Sequence, residues 1–273
     1  MSAARSIVVG SRLPLVPGLR VSMRVQGEGD PLLLINGMTR PLESWDPFTR
    51  ELHGRTVVSF DAPGVGRSPT PLRPVSIAEL AALAVAVLDA AGLDDADVLG
   101  FSHGGAVAQQ LARDVPDRVR RLILVSTSCG VGATPGNSRR AILHGLGKRD
   151  EDNPWPRPNA LGLCWHSLAI SSWTSIPFLG AISAPTLVVC GTHDRVVPPA
   201  NGRLLARRIP DASLVLLPGG HDLQRAEPAR SLARIVEDFL PATAAKATVA
   251  LDAVALDAVA LNAVATERMP TSA

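Results

Sequence analysis

Short, nearly continuous apolar runs recur along the first 240 residues. They are Leu32-Leu33-Leu34-Ile35, Thr56-Val57-Val58-Ser59-Phe60, Asp97-Val98-Leu99, Leu122-Ile123-Leu124-Val125, Thr186-Leu187-Val188-Val189 and Leu214-Val215-Leu216-Leu217. A strand that is apolar at every position is buried on both faces, as in a parallel sheet covered by helices. Helical spacing fills residues 77–91, 106–114, 200–208 and 225–240 between these runs. The alternation predicts one doubly wound α/β domain.

The alternation fails in two places. Between Ser128 and Ile182 lie Pro135, Pro154, Pro156, Pro158 and Pro177, with Trp155, Trp165 and Trp173. Proline lacks the N–H and clashes with the preceding turn, so Asn153-Pro154-Trp155-Pro156-Arg157-Pro158 cannot be a continuous helix. We read residues 129–182 as a cap inserted over a site, whose three tryptophans are candidate substrate-binding residues. After Leu240, Ala-Leu-Asp-Ala-Val recurs with a period of five. A five-residue step scatters leucine and valine around a helix axis and flips faces in a strand, so neither form gains one apolar face. Residues 1–241 are expected to form the domain and 242–273 a low-complexity tail.

Composition narrows the class. The chain of 273 residues is 46% hydrophobic and 19% charged, with a net charge of +2. It carries no basic run, so nucleic-acid binding has no electrostatic support. Three cysteines, Cys129, Cys164 and Cys190, suggest reduced, buried or half-buried thiols rather than a disulfide framework. Residues 1–12 carry no apolar stretch followed by a small-residue cleavage site. No apolar window reaches the roughly 18 residues that would span a membrane. The default expectation is a cytoplasmic protein with no transmembrane segment.

The candidate chemistry sits at the ends of the predicted strands. Gly100-Phe101-Ser102-His103-Gly104 follows one strand and opens a helix. A serine on so sharp a turn needs small neighbours, and it stands exposed above the sheet with a helix N-terminus behind it. Two further stretches supply partners: Gly191-Thr192-His193-Asp194 after the fifth run, and Gly219-Gly220-His221-Asp222 after the last. The order Ser, Asp, His is that of an α/β-hydrolase triad, unlike the orders of chymotrypsin-like and subtilisin-like enzymes. We therefore expect Ser102 as nucleophile, His221 as general base and Asp194 as the carboxylate that orients it. Asp222 follows His221 too closely to support the same imidazole easily, and the His193 side chain should point elsewhere. The oxyanion hole is expected from the backbone N–H groups of His103 and of Met38, in Asn36-Gly37-Met38-Thr39. Asp61-Ala62-Pro63-Gly64-Val65-Gly66-Arg67-Ser68 lacks the ending of a P-loop and the spacing of a dinucleotide fingerprint, so it reads as a structural turn.

Together these residues resemble the α/β-hydrolase superfamily over residues 20–241. Within it the chain resembles the intracellular medium-chain-length poly(3-hydroxyalkanoate) depolymerases. That likeness rests on Leu33-Leu34-Ile35-Asn36-Gly37, on Phe60-Asp61-Ala62-Pro63-Gly64-Val65-Gly66, on Gly104-Gly105-Ala106-Val107-Ala108-Gln109-Gln110, and on Trp173-Thr174-Ser175-Ile176. The resemblance implies an α/β-hydrolase fold, a mostly parallel sheet with a short cap, and the triad Ser102, Asp194 and His221. It also implies carboxylic-ester hydrolysis with no metal or organic cofactor, a polyester or small-molecule substrate, and a polymer granule surface as a partner. The chain departs from that family at His103, where tryptophan is more usual, and in its shorter cap. A general medium-chain esterase and a slow-turnover small-molecule sensor on the same fold stay open as alternatives. The sequence does not fix an oligomeric state.

Overall fold

The computed structural model describes residues 5–8, 20–137 and 159–240. Trp155 and the tail expected over 242–273 lie outside the described residues. The strands are β1 (Arg5–Val8), β2 (Arg20–Gln26), β3 (Asp30–Ile35), β4 (Arg55–Phe60), β5 (Ala96–Phe101), β6 (Val119–Val125), β7 (Thr186–Gly191) and β8 (Ala212–Leu217). The α-helices are α1 (Asp46–Thr49), α2 (Ile77–Ala90), α3 (His103–Asp114), α4 (Ala160–Ser171), α5 (Pro199–Arg208) and α6 (Ala226–Phe239). All six apolar runs are strands. The four predicted helices are α2, α3, α5 and α6, with shifts at their ends.

The described strands make one sheet in the order β1-β2-β4-β3-β5-β6-β7-β8. The pairs β1–β2 and β2–β4 are antiparallel, and every later pair is parallel. Sequence alternation sends successive side chains to two separate cores. Leu33, Ile35, Val98, Leu122, Leu124 and Val188 face one layer with α2, α3 and α5. Leu32, Leu34, Leu99, Phe101, Ile123 and Val189 face the other, packed on Trp45, Phe48 and α6. This two-sided burial is why the inner strands read as unbroken apolar runs. The run Leu214-Val215-Leu216-Leu217 departs from that expectation, because β8 is an edge strand and is only partly buried, with Leu216 exposed.

Local chemistry fixes the ends of the helices. Ser76 Oγ accepts the Glu79 N–H at 3.2 Å, and Glu79 Oε2 accepts the Ser76 N–H at 2.7 Å, a reciprocal cap at the start of α2. On α3, close approach to the sheet needs glycine. A Cβ on Gly100 would stand 2.5 Å from the Gly104 carbonyl oxygen and 2.7 Å from Ala108 Cβ. Without side chains there, α3 lies directly on β5.

The interval from Ser128 to Ile182 contains α4, which the proline-rich reading did not anticipate. Asn159 Oδ1 caps it by accepting the N–H groups of Leu161 at 2.9 Å and Gly162 at 3.2 Å. No Asp, Glu, Lys or Arg occurs between Asn159 and His193. On one face of α4, spaced by four, stand Gly162, His166 and Ile170. Gly162 meets the backbone of Gly64, and His166 Nε2 donates to the Pro63 carbonyl at 3.0 Å. The Asp61–Ser68 turn is thus the platform on which the cap helix sits.

Candidate active site

The sheet brings the candidate residues together because the chain reverses its direction of growth after β4. From β3 it steps to β4 on one side, then crosses to β5 on the other. Ligands of open α/β sheets bind beyond the carboxyl ends of the strands at such a switch point. Met38 follows β3, Ser102 follows β5, Asp194 follows β7 and His221 follows β8.

Ser102 has φ 51° and ψ −117°, a conformation that costs a residue with a Cβ. Its backbone is held on three sides. The N–H donates to the Val125 carbonyl at 2.9 Å, and the Ser102 carbonyl accepts Gly105 N–H at 2.9 Å and Thr127 Oγ1 at 2.7 Å. The hydroxyl then lies 3.0 Å from His221 Nε2. His221 Nδ1 lies 2.7 Å from Asp194 Oδ2. A carboxylate only accepts, so Nδ1 carries the proton and Nε2 is the acceptor for the serine hydroxyl. The second Asp194 oxygen accepts the N–H groups of Val196 at 2.8 Å and Val197 at 2.9 Å, which fixes the carboxylate plane. Both Asp194 and His221 are buried, and the Phe101 ring packs on the imidazole at 5.1 Å. The His193 ring turns instead to Thr192 Oγ1 at 3.0 Å.

Ser102, His221, Met38 and His103 line one pocket of about 160 Å³. The backbone N–H of His103 opens α3, where the first N–H groups of a helix have no partner within it and the helix dipole favours negative charge. Across from it, the Met38 loop is held by Asn36. The Asn36 side chain donates to the Pro41 carbonyl at 2.9 Å and Ser44 Oγ at 2.7 Å, and accepts the Gly37 N–H at 2.9 Å. A Cβ on Gly37 would stand 2.8 Å from the Phe101 ring, so glycine lets this loop approach the serine.

The cap tryptophans correct one expectation. Neither Trp165 nor Trp173 lines the pocket. Trp165 Nε1 donates to the Pro71 carbonyl at 3.1 Å, and Trp173 Nε1 donates to Gln110 Oε1 at 2.8 Å. A half-buried indole is steered by the partner its N–H must find, and both partners lie outside the 129–182 interval, Pro71 in the loop after β4 and Gln110 on α3. Ile170 of α4 supplies the cap's side of the pocket instead, with Val196 and Val197 from the Asp194 loop. Cys164 is a second correction: it is exposed on α4, while Cys129 and Cys190 are buried. Burial and the nearby Asp194 push the Cys190 thiol up to about 11.

Two buried imidazoles join the Ser102 turn to α4. The His103 and His166 rings meet edge to face at 4.9 Å. Burial holds His103 well below the ordinary histidine range, and the His166 ring pushes the same way; burial also lowers His166. Both are therefore neutral at pH 7. Under the cap helix, burial pushes the Asp61 carboxyl up to about 6, although the N–H groups of Arg67 and Leu42 pull it down. Asp61 is structural: its oxygens accept Leu42 N–H at 2.7 Å and Arg67 N–H at 2.9 Å.

Arg40 belongs to no motif that would mark it in the sequence. It lines the pocket, and its Nη2 lies 3.2 Å from Asp222 Oδ2. An arginine two residues after Met38 and an aspartate next to His221 were the available signals. Among the described residues no cluster of His, Cys, Asp and Glu has the arrangement of a metal site. No helix there is long and apolar enough to cross a membrane.

Known proteins share this arrangement of strands and loops. Residues 30–148 and 155–228 match the α/β hydrolase fold family. A poly(3-hydroxyalkanoate) depolymerase of Ectopseudomonas oleovorans is 35% identical over 245 residues, covering 80% of this chain and 86% of that protein. A 2-hydroxymuconate semialdehyde hydrolase of Pseudomonas putida is 34% identical over 267 residues, covering 83% and 92%. The crystal structure of the enol-lactonase from Burkholderia xenovorans LB400 superposes with a TM-score of 0.73 at 26% identity, covering 82% of this chain and 98% of that one.

Proposed function

The chain belongs to the α/β-hydrolase family, and we propose that it is a serine hydrolase cleaving carboxylic esters through an acyl-enzyme, with a hydroxyalkanoate polyester or its oligomers as substrate. The observation that carries this reading is the unbroken relay from Asp194 through His221 to Ser102, with steps of 2.7 Å and 3.0 Å. Ser102 Oγ attacks the ester carbonyl carbon while its proton passes to His221 Nε2. Asp194 holds the Nδ1 proton and stabilises the imidazolium that forms. The carbonyl oxygen, now negative, turns toward the N–H groups of Met38 and His103. As the tetrahedral centre collapses, the C–O bond breaks and His221 gives its proton to the departing alcohol. Water then attacks the acyl-enzyme with His221 as base, releasing the acid and restoring the serine.

The substrate class draws on two supports. One is the 35% identity to a poly(3-hydroxyalkanoate) depolymerase. The other is the absence of charged residues across the cap helix and the segment after it, from Asn159 to His193. A second reading, a carboxylesterase for small esters, is favoured by the pocket of about 160 Å³, which is below the roughly 300–1,000 Å³ common for small-molecule sites. The test joins a fluorophosphonate probe to two substrates. Labelling at Ser102, hydrolysis of p-nitrophenyl esters and release of hydroxy acids from dispersed medium-chain polyester are expected. Labelling and ester hydrolysis without polyester products would favour the second reading. Labelling with negligible turnover of every ester would mark a slow-turnover sensor, and no labelling at Ser102 would remove the mechanism.

A further inference from the structure

The two halves of the candidate machinery lie on loops far apart in sequence. Met38 belongs to the loop after β3, and His221 to the loop after β8. Nothing in the sheet couples these loops directly, because β3 and β8 are separated by β5, β6 and β7. Arg40 and Asp222 do couple them. Arg40 Nη2 approaches Asp222 Oδ2 to 3.2 Å across 182 positions of sequence. The Arg40 side chain is 7% exposed and that of Asp222 21%. The same carboxylate oxygen lies 3.6 Å from Arg225 Nη1, at the start of α6.

We propose that Arg40 and Asp222 are positioning residues whose ion pair sets the spacing between the loop carrying the Met38 N–H and the loop carrying His221. This inference rests on the serine-hydrolase reading. Each residue stands within two positions of the group it places. The backbone between Arg40 and Met38 is stiffened by Thr39, which has φ 64°, and by the Arg40 N–H donating to the Gly37 carbonyl at 3.2 Å. A shift of Arg40 therefore carries Met38 with it. Asp222 is joined to His221 by one peptide unit, and the Leu223 N–H donates to the His221 carbonyl at 3.1 Å, closing a tight turn around it. Asn36 holds the start of the oxyanion loop, and the ion pair holds its far end. Because the pair is largely shielded, its attraction is little screened by salt. Arg225 fixes the carboxylate from the α6 side, so Asp222 cannot follow a displaced Arg40 freely. Neither residue need touch the ester: the pair acts through distance, and misplacement of about 1 Å can lower a rate by about 100-fold.

The test uses the full chain carrying Arg40→Met, Arg40→Lys, Asp222→Asn, or Arg40→Met with Asp222→Asn. For each, kcat and KM for p-nitrophenyl butyrate are measured well below Tm, together with the rate of fluorophosphonate labelling and Tm itself. We expect each of Arg40→Met and Asp222→Asn to lower kcat by about 10- to 100-fold with KM changed less than about threefold. The labelling rate should fall by a similar factor, because the phosphonate adduct needs the same donors. The double variant should be no worse than the poorer single one, since both break one tie. Arg40→Lys should recover at least several-fold in kcat over Arg40→Met. Should Arg40→Met fail to fold, Arg40→Lys combined with Asp222→Asn, against its two single variants, tests the same coupling. Unchanged kcat in both single variants, or losses that multiply in the double one, overturns the proposal. So does a loss of kcat accounted for by the unfolded fraction. A wild-type protein that neither labels at Ser102 nor hydrolyses esters overturns instead the reading beneath it.

Discussion

At the scale of single residues, what a side chain can do here depends on which polar atom it must satisfy. Ser102, Asp194 and His221 were legible because each stands in a glycine-rich loop after an apolar run, a context that survives in one dimension. The Arg40–Asp222 pair was not, because a contact across 182 positions leaves no local pattern. Nor were the positions of Trp165 and Trp173, whose indole N–H groups turn to Pro71 and Gln110. Ser102→Ala should lower ester hydrolysis by about 10⁴-fold or more with Tm nearly unchanged, and Asp194→Asn should cost about 10⁴-fold by favouring the wrong imidazole tautomer. Steady-state rates and melting curves on the same preparations check both. The His103–His166 contact carries a pH dependence of definite sign. Both imidazoles are lowered by burial, so the packing they stabilise is complete above the ordinary value of about 6.5 and is lost as pH falls below it. Asp61 works oppositely: its raised carboxyl stabilises the fold at low pH, and that contribution disappears as pH rises through about 6. The two partly cancel in global stability. Amide exchange of α4, corrected for its intrinsic pH dependence, should therefore rise below about pH 6.5 in the wild type and less steeply in His166→Gln.

At the scale of elements, the strands declared themselves through two-sided burial and the cap helix did not. Strand β3 sends alternate residues into two cores, so its run Leu32-Leu33-Leu34-Ile35 is apolar at every position. Helix α4 follows a proline-rich stretch and bears no charged residue, so the usual contrast between an apolar and a charged face is missing. Its inner face is set instead by Gly162, His166 and Ile170, a glycine, a polar ring and one aliphatic side chain. Ile170 is the point at which this helix meets the pocket. Ile170→Ala should lengthen the acyl chain preferred by about two carbons. It should lower kcat/KM for the short ester about tenfold, within the roughly 1–3 kcal/mol that one methylene contributes in an apolar pocket. A p-nitrophenyl series from acetyl to octanoyl reads this out, and an unchanged profile would remove Ile170 from the specificity wall.

At the scale of the molecule, the mostly parallel, doubly wound sheet could be anticipated from alternation, whereas the spatial order of its strands and the antiparallel edge formed by β1 and β2 could not. β2 is buried on only part of its length, and its sequence, Arg-Val-Ser-Met-Arg-Val-Gln, carries no continuous apolar run. All candidate catalytic residues precede residue 241, so a chain ending at Thr243 should keep Tm and kcat/KM on a soluble ester nearly unchanged. Adsorption to dispersed polyester, measured on the same truncated chain, shows separately whether the repeat serves attachment. The backbone of Ser102 has a last consequence, for the evolution of stability. A residue with a Cβ in such a conformation costs about 1–3 kcal/mol, whereas glycine adopts it freely and loses roughly 0.5–1 kcal/mol through the entropy of the unfolded chain. Ser102→Gly should then melt roughly 2–5 °C above Ser102→Ala, although neither hydrolyses esters. Selection for thermal tolerance alone would drive position 102 to glycine. A serine kept there in a population under heat stress is thus a record of selection for turnover, and the difference in melting temperature measures how strong that selection has to be.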